Sequence, residues 1–370
     1  MLLRKLGEVF IIKPPSSPSA VSKSPILCNN YYNSIYKNYS TSRVTMSRPK
    51  ILVTRPDIPA IGFDLLKKEC DLIVGDNCDQ ISRSELISKI SGVDGLYCLL
   101  SDKIDEEVLN AAGSKLKVVA TMSVGVNHLD LKALKERNIY VGYTPGILTN
   151  ATAELTIGLL LATSRRLIEG HKAILKKEWK SWGPTWMCGP GLENSTIGIV
   201  GLGRIGAQVA EILKPFRVSK ILYTSRKVKQ EASKFGGQHV DLDTLLKESD
   251  FVIVTIALTP ETTELFNKEA FDKMKKTAVF INVSRGEVVH QPSLIEALRN
   301  KKIWGAGLDV TTPEPIGPEH ELLQLDNCVV IPHLGSANIA TREEMAKITA
   351  NNILSALKNK PEEMPARLEL

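Results

Sequence analysis

The feature that most constrains this chain is residues 196–206, TIGIVGLGRIG, where an apolar β-branched run passes into a helix through three spaced glycines. Gly201 permits a tight turn, Gly203 leaves room for a pyrophosphate against the backbone, and Gly206 lets the helix over 204–213 pack closely on its strand. The free amides at that helix start suit an anion. A glycine turn alone is weak evidence. With a strand before it and an amphipathic helix after it, the run predicts a dinucleotide cradle whose cofactor-binding residues are Gly201, Gly203, Arg204, Ile205 and Gly206.

The rest of the chain is organised around that cradle. At 370 residues it exceeds the usual single-domain size, so two cores are expected. Short β-branched runs at 51–54, 72–75, 95–99, 117–121 and 139–143 alternate with helical segments and predict a parallel α/β unit. A second series at 196–200, 220–224, 251–255, 278–283, 303–309 and 328–331 makes six strands, a full doubly wound sheet. Between them, residues 150–177 carry Leu155, Gly158, Leu159, Ala162 and Arg166 at helical spacing and read as one domain-linking helix. Residues 179–191 hold three of the four tryptophans among prolines and glycines, which fits an arm or interface loop. A closing helix over 339–357 returns the chain to the first unit. The expected architecture is therefore α/β, with two Rossmann-like domains and a cleft between them. Residues 47–147 and 339–370 form a flavodoxin-like substrate domain, and 148–338 the dinucleotide domain.

The formal charge of +6 points toward an acidic partner until it is mapped. Residues 1–50 hold eight Lys or Arg against the single acid Glu8, leaving 39 basic and 40 acidic residues in the remainder. The excess sits in a leader, so nucleic acid is not an expected partner. Residues 1–46 interleave Arg4, Lys5, Lys13, Lys23, Lys37 and Arg43 with serines, tyrosines and asparagines, and Leu2, Leu3, Leu6, Val9 and Phe10 suit one side of a short cationic helix. That composition predicts a mitochondrial transit peptide, with a cytoplasmic form from an internal start at Met46 as the alternative. No apolar run is long enough to cross a bilayer, so no membrane partner is expected and the sequence reads as soluble. Six scattered cysteines lack metal-type spacing and read as reduced, mostly structural thiols, and the six histidines are likewise scattered without ligand spacing.

Cofactor choice is written after the second strand of the cradle sheet. Dinucleotide sheets that use NAD place an Asp or Glu there, about 20 residues past the glycines. Here the place is held by Thr224, Ser225, Arg226 and Lys227. A hydroxyl with two cations is what a 2′-phosphate needs, so NADPH is the expected cofactor, NADH being weaker.

Three further signals lie at the carboxyl ends of later strands, where ligands of open α/β sheets bind. They are Asn282, Val283, Ser284, Arg285, Gly286; Gly305 to Asp309 with Glu314 and Pro315; and Pro332, His333, Leu334, Gly335, Ser336. These motifs resemble those of the D-isomer-specific 2-hydroxyacid dehydrogenases, which implies reduction of a 2-oxo acid; that reaction requires a hydride donor, an anchor for the carboxylate and a proton for the developing alkoxide. Arg285 supplies the bidentate cation, His333 the proton, and Glu314 an anion that favours and orients the imidazolium. Val124 and Gly125, following a strand, are placed to aim backbone amides at the substrate carboxylate. His128 reads as structural.

Together the motifs carry that resemblance across residues 50–370. Within that family they are most similar to the glyoxylate and hydroxypyruvate reductases, with support from 121–125, 141–145, Ser181, Trp182, Trp186 and Cys188. The resemblance implies reduction of a small 2-oxo acid, glyoxylate to glycolate or hydroxypyruvate to D-glycerate, by a homodimer. It implies Arg285, Glu314 and His333 as catalytic residues, and Leu100, Val124, Gly125, Trp182 and Ser336 as further substrate-binding residues. It adds Ala257, Val283, Asp309 and Gly335 to the cofactor set, gives Asp309 a supporting role, and sends Trp182 toward a neighbouring subunit. Two positions depart from the family pattern: Asn127 stands where many members carry an acid before His128, and Ala257 replaces a small polar residue. Another D-2-hydroxyacid dehydrogenase, such as a 3-phosphoglycerate dehydrogenase, and a dinucleotide-sensing scaffold remain as alternatives.

Overall fold

A computed structural model describes residues 48–370. The leader and its reading as a targeting segment, the alternative start at Met46, and Cys28 lie outside the described residues.

Two sheets carry the fold. The first contains β1 (Lys50–Val53), β2 (Asp71–Val74), β3 (Gly95–Cys98), β4 (Val118–Thr121), β5 (Tyr140–Gly142) and β13 (Arg367–Leu368) in the order β13-β5-β4-β3-β1-β2. Its parallel core has the flavodoxin-like 2-1-3-4-5 order, and β13 joins its edge antiparallel to β5. Alternation explains why both faces are covered. Ile51 and Val53 point into a core with Phe63 and Leu66 of the helix Ala60–Glu69 and with Met345, Ala350 and Ile353 of the helix Ile339–Leu357. Leu52, between them, joins Leu86, Ile90, Val108 and Leu134 from the helices on the other face. Every one of these side chains is at least nine-tenths buried, and each buried Val, Leu, Ile, Phe or Met contributes about 1.5–3 kcal/mol.

The second sheet contains β6 (Thr196–Val200), β7 (Lys220–Thr224), β8 (Gln238–His239), β9 (Phe251–Val254), β10 (Val279–Asn282), β11 (Gly305–Leu308) and β12 (Cys328–Val330), all parallel, in the order β12-β11-β10-β9-β6-β7-β8. The chain enters at β6 and builds outward on both sides, so the order reverses between β6 and β9, the crevice where such sheets bind ligands. Ile197, Ile199, Ile253 and Ile281 face the helices Thr149–Ser164 and Arg204–Leu213, while Val252, Val254, Phe280 and Leu308 face the helices Leu242–Glu248, Lys268–Lys273 and Gln291–Arg299.

Two sequence expectations need correction. The cradle sheet has seven strands, not six; β8 is two residues long and too short to show an alternation. The segment 150–177 is not one helix but two, Thr149–Ser164 and Leu167–Leu175. They break at Arg166, which adopts the left-handed conformation (φ 52°) while its guanidinium pairs with Glu169 at 2.6 Å. Periodicity continues through the break because the second helix keeps the same apolar spacing. Cys70, Cys98, Cys188 and Cys328 are free thiols. No helix among the described residues is long and apolar enough to cross a membrane.

Candidate active site

The carboxyl ends of both sheets meet at two adjoining cavities of about 750 and 360 Å³, which share Leu100, Asn127, Leu258, Arg285, Asp309 and His333. The site is assembled from loops that leave β3 and β4 on one side and β10, β11 and β12 on the other.

From the β10 side comes Arg285. Asn282 at the strand end accepts from the Ser284 amide (3.0 Å) and hydroxyl (2.8 Å) and donates to the Arg285 carbonyl (2.9 Å), which fixes the turn that throws the guanidinium into the cleft. One guanidinium N–H donates to the Ser284 carbonyl at 2.7 Å. Nε and Nη2 have no protein acceptor among the described residues. Burial lowers the Arg285 pKa, with Glu314 and Glu287 opposing, but an arginine keeps its proton in proteins, so the group is a desolvated cation.

From the β4 side comes the loop Ser123, Val124, Gly125. A Cβ on Gly125 would lie 1.7 Å from Nη2 of Arg285, so the guanidinium occupies the space any side chain there would take. The amides of Val124 and Gly125 donate to no protein acceptor among the described residues. Two unpaired amides opposite a buried cation with free N–H groups form a site for a carboxylate.

His333, the expected proton donor, sits on the loop after β12. His333 Nδ1 lies 2.5 Å from Glu314 Oε1. With Nδ1–H donating to the carboxylate, the transferable proton of the imidazolium is on Nε2. Asp309, 2% exposed at the end of β11, holds this loop from three directions. Its carbonyl accepts from the His333 amide (2.9 Å), and its carboxylate accepts from Leu334 (2.5 Å) and Gly335 (2.9 Å). Those bonds hold His333 in a left-handed conformation (φ 50°) that histidine adopts only at some cost in energy. Burial raises the Asp309 pKa, against the two amides and His333.

The glycine loop has the backbone geometry that the sequence predicts. Gly201 has φ 100°, and a Cβ on Gly206 would come 2.4 Å from the Gly201 carbonyl, so both positions require glycine. Gly203 faces open space, and the helix Arg204–Leu213 begins with amides that have no intrahelical partner. These residues fit a dinucleotide pyrophosphate. Ile205, Ala257, Val283, Asp309 and Gly335 line the smaller cavity with Leu100, Val124, Gly125 and Ser336. Ser225, Arg226 and Lys227 lie apart from it, in a turn after β7 closed by the Ser225 hydroxyl donating to the Lys227 carbonyl (2.6 Å); the side chains of Arg226 and Lys227 are exposed.

Residues 157–335 match the family model of the D-isomer specific 2-hydroxyacid dehydrogenase NAD binding domain. A mouse protein named glyoxylate reductase/hydroxypyruvate reductase is 50% identical over 324 residues, covering 87% of this chain and 98% of the relative. The chain belongs to the D-isomer specific 2-hydroxyacid dehydrogenase family. It is an oxidoreductase of that family, built on a nicotinamide dinucleotide domain. Among solved structures, a Thermus thermophilus protein aligns with a TM-score of 0.80 at 41% identity, covering 86% of this chain and all of that one. An NADPH-dependent glyoxylate/hydroxypyruvate reductase from Sinorhizobium meliloti, in complex with NADP and malonate, aligns with a TM-score of 0.74 at 29% identity, covering 88% of this chain and all of that one.

Trp182 is not brought to this dehydrogenase site. It is 82% exposed and lines neither cavity of its own chain. Sequence reasoning passes over Arg342, whose Nε donates to the Ser336 carbonyl (3.1 Å), and Thr152, whose hydroxyl donates to the Gly335 carbonyl (3.0 Å). Both come from long helices without a motif and steady the His333 loop. His128, read as structural, bonds Thr121 at 2.9 Å, and burial, with a smaller repulsion from Arg285, lowers its pKa to about 4.

Proposed function

We propose that this dehydrogenase reduces glyoxylate to glycolate and hydroxypyruvate to D-glycerate, with NADPH preferred over NADH. The observation that carries the reading is the Arg285 guanidinium packed over Gly125, with unpaired amides on one side and the His333–Glu314 pair beside it. When bound, the dinucleotide supplies the hydride. Arg285 and the Val124 and Gly125 amides hold the substrate carboxylate, and Arg285 polarises the ketone. His333 gives its Nε2 proton to the ketone oxygen as the carbonyl carbon becomes tetrahedral, and Glu314 stabilises the imidazolium beforehand. Arg285, Glu314 and His333 are thus the catalytic residues, and Leu100 and Ser336 complete the substrate wall.

Support for NADPH comes from the turn after β7, where Arg226 and Lys227 are exposed and no carboxylate stands in residues 224–227. The mouse relative's name and the bacterial reductase crystallised with NADP agree with the substrate and cofactor chosen. We assign residues 47–147 and 339–370 to substrate binding and 148–338 to the cofactor. A homodimer accounts for the exposed Trp179 and Trp182 on the arm and for the exposed Leu175 at the end of the helix before it. Residues 1–46 act as a mitochondrial leader in this reading, and a diffuse cytosolic signal from a reporter fused to them would refute that.

The deciding experiment is steady-state oxidation of NADPH and NADH by residues 47–370 with glyoxylate, hydroxypyruvate, pyruvate and 3-phosphohydroxypyruvate. Fast NADPH turnover on the first two is expected. Best turnover on the phosphorylated acid, or equal kcat/KM with NADH, overturns the corresponding part of the reading.

A further inference from the structure

The Ser123 hydroxyl lies 2.7 Å from the Gly125 carbonyl, two residues along the same loop. It also lies 2.8 Å from the Thr121 hydroxyl, which is 2.9 Å from Nε2 of His128. Thr121 is fully buried and Ser123 is 4% exposed.

The direction of every proton in this relay follows from one fact. A carbonyl oxygen only accepts, so Ser123 donates to Gly125. The Ser123 oxygen therefore accepts from the Thr121 hydroxyl. With that proton committed, the Thr121 oxygen accepts in turn, which requires a proton on Nε2 of His128. Burial keeps the imidazole neutral until about pH 4, and protonation there adds a proton at Nδ1 without disturbing Nε2–H. The relay is thus insensitive to pH across the neutral range.

What the relay holds is the loop whose Val124 and Gly125 amides have no protein acceptor among the described residues. Tying the Gly125 carbonyl back to Ser123 turns it toward the buried side and fixes the curvature of the loop against Arg285. The Ser123 carbonyl is engaged as well, accepting from the Thr144 amide at 2.9 Å. Loop residues without such ties relax to satisfy their own amides.

We infer that Ser123 is a positioning residue: oriented by His128 through Thr121, its hydroxyl holds the Val124–Gly125 loop in the shape that binds the substrate carboxylate. This rests on the proposed role of those amides. None of the three side chains hydrogen-bonds to His333 or to the glycine loop, so the effect is expected on acid binding and not on the dinucleotide.

The test compares Ser123→Ala, Thr121→Val and Thr121→Ser with the unmodified protein. KM for glyoxylate and kcat are measured with NADPH saturating, together with Kd for NADPH and Kd for oxalate, a carboxylate probe that cannot be reduced, by calorimetry on the NADPH-loaded protein. Ser123→Ala is expected to raise KM and the oxalate Kd about tenfold, with kcat within about twofold and NADPH affinity unchanged. Thr121→Val moves in the same direction, and Thr121→Ser, which restores the hydroxyl, returns to the starting values. Unchanged KM and oxalate Kd in Ser123→Ala overturn the inference, as does a parallel loss of kcat and NADPH affinity, which marks a merely structural role. If the unmodified protein reduces neither acid yet binds oxalate, and Ser123→Ala weakens that binding, the inference stands and the assigned reaction falls. If it neither reduces an acid nor binds oxalate, both fall.

Discussion

The two halves of this molecule meet at one site but contribute to it in different ways. The seven-stranded half sends in side chains: Arg285, Glu314 and His333, each at or just beyond a strand end, with Asp309 bracing the last. The six-stranded half sends in mostly backbone, two amides and a glycine whose missing Cβ leaves room for Arg285. Chemistry that needs a charge or a proton has to use a side chain. Holding a small carboxylate needs only N–H groups in a fixed place, and a loop braced from below provides them.

That contrast is sharpest if each half is damaged in turn. His333→Ala removes the proposed proton donor and should lower kcat by about a thousandfold with little change in KM; stopped-flow and steady-state rates on glyoxylate would show it, and a loss under about tenfold would mean another group donates the proton. Gly125→Ala strikes the other half without removing a functional group. Its methyl would have to displace Arg285, so kcat/KM should fall about a hundredfold, mostly through KM. Wild-type kinetics in that variant would mean that the guanidinium does not rest on Gly125 during turnover.

A smaller effect separates cofactor choice from chemistry. Removing both cations with Arg226→Ala and Lys227→Ala should reduce kcat/KM for NADPH about tenfold while NADH is barely altered. Equal losses for both cofactors would place the 2′-phosphate elsewhere.

The smallest effect concerns stability against pH and comes from His128. Its pKa in the fold is about 4 against an ordinary 6.5, because burial disfavours the charge. Between those values the folded state binds fewer protons than the unfolded one. Stability from this group is therefore complete above pH 6.5 and lost progressively as pH falls toward 4. Replacing it in His128→Gln should flatten the curve of thermal midpoint against pH in that window and leave its shape at neutral and higher pH alone. A curve parallel to the unmodified protein's would show that the histidine is not desolvated in the fold.

The same division between local chemistry and assembled geometry governs how much of the molecule is legible in its sequence. The cradle, Arg285, Glu314 and His333 stand out because each lies in a short local motif where residue type and spacing carry the chemistry. The parallel strands are legible from β-branched runs, and the closing helix from its apolar period. β8 and β13, at two residues each, hold too few positions for a pattern, and the break at Arg166 depends on a backbone turn that leaves the apolar spacing intact.

Local sequence therefore determined the glycine loop, the side chains proposed to react and the α/β alternation, since each is decided over a short stretch by glycine geometry, side-chain chemistry or period. Only the tertiary structure decided that Arg285 lies on Gly125, that Glu314 meets His333, and that His128 and Thr121 stand behind Ser123. Those contacts join residues that lie apart along the chain, and their distances are set by how helices and sheets pack, which no short stretch of sequence contains.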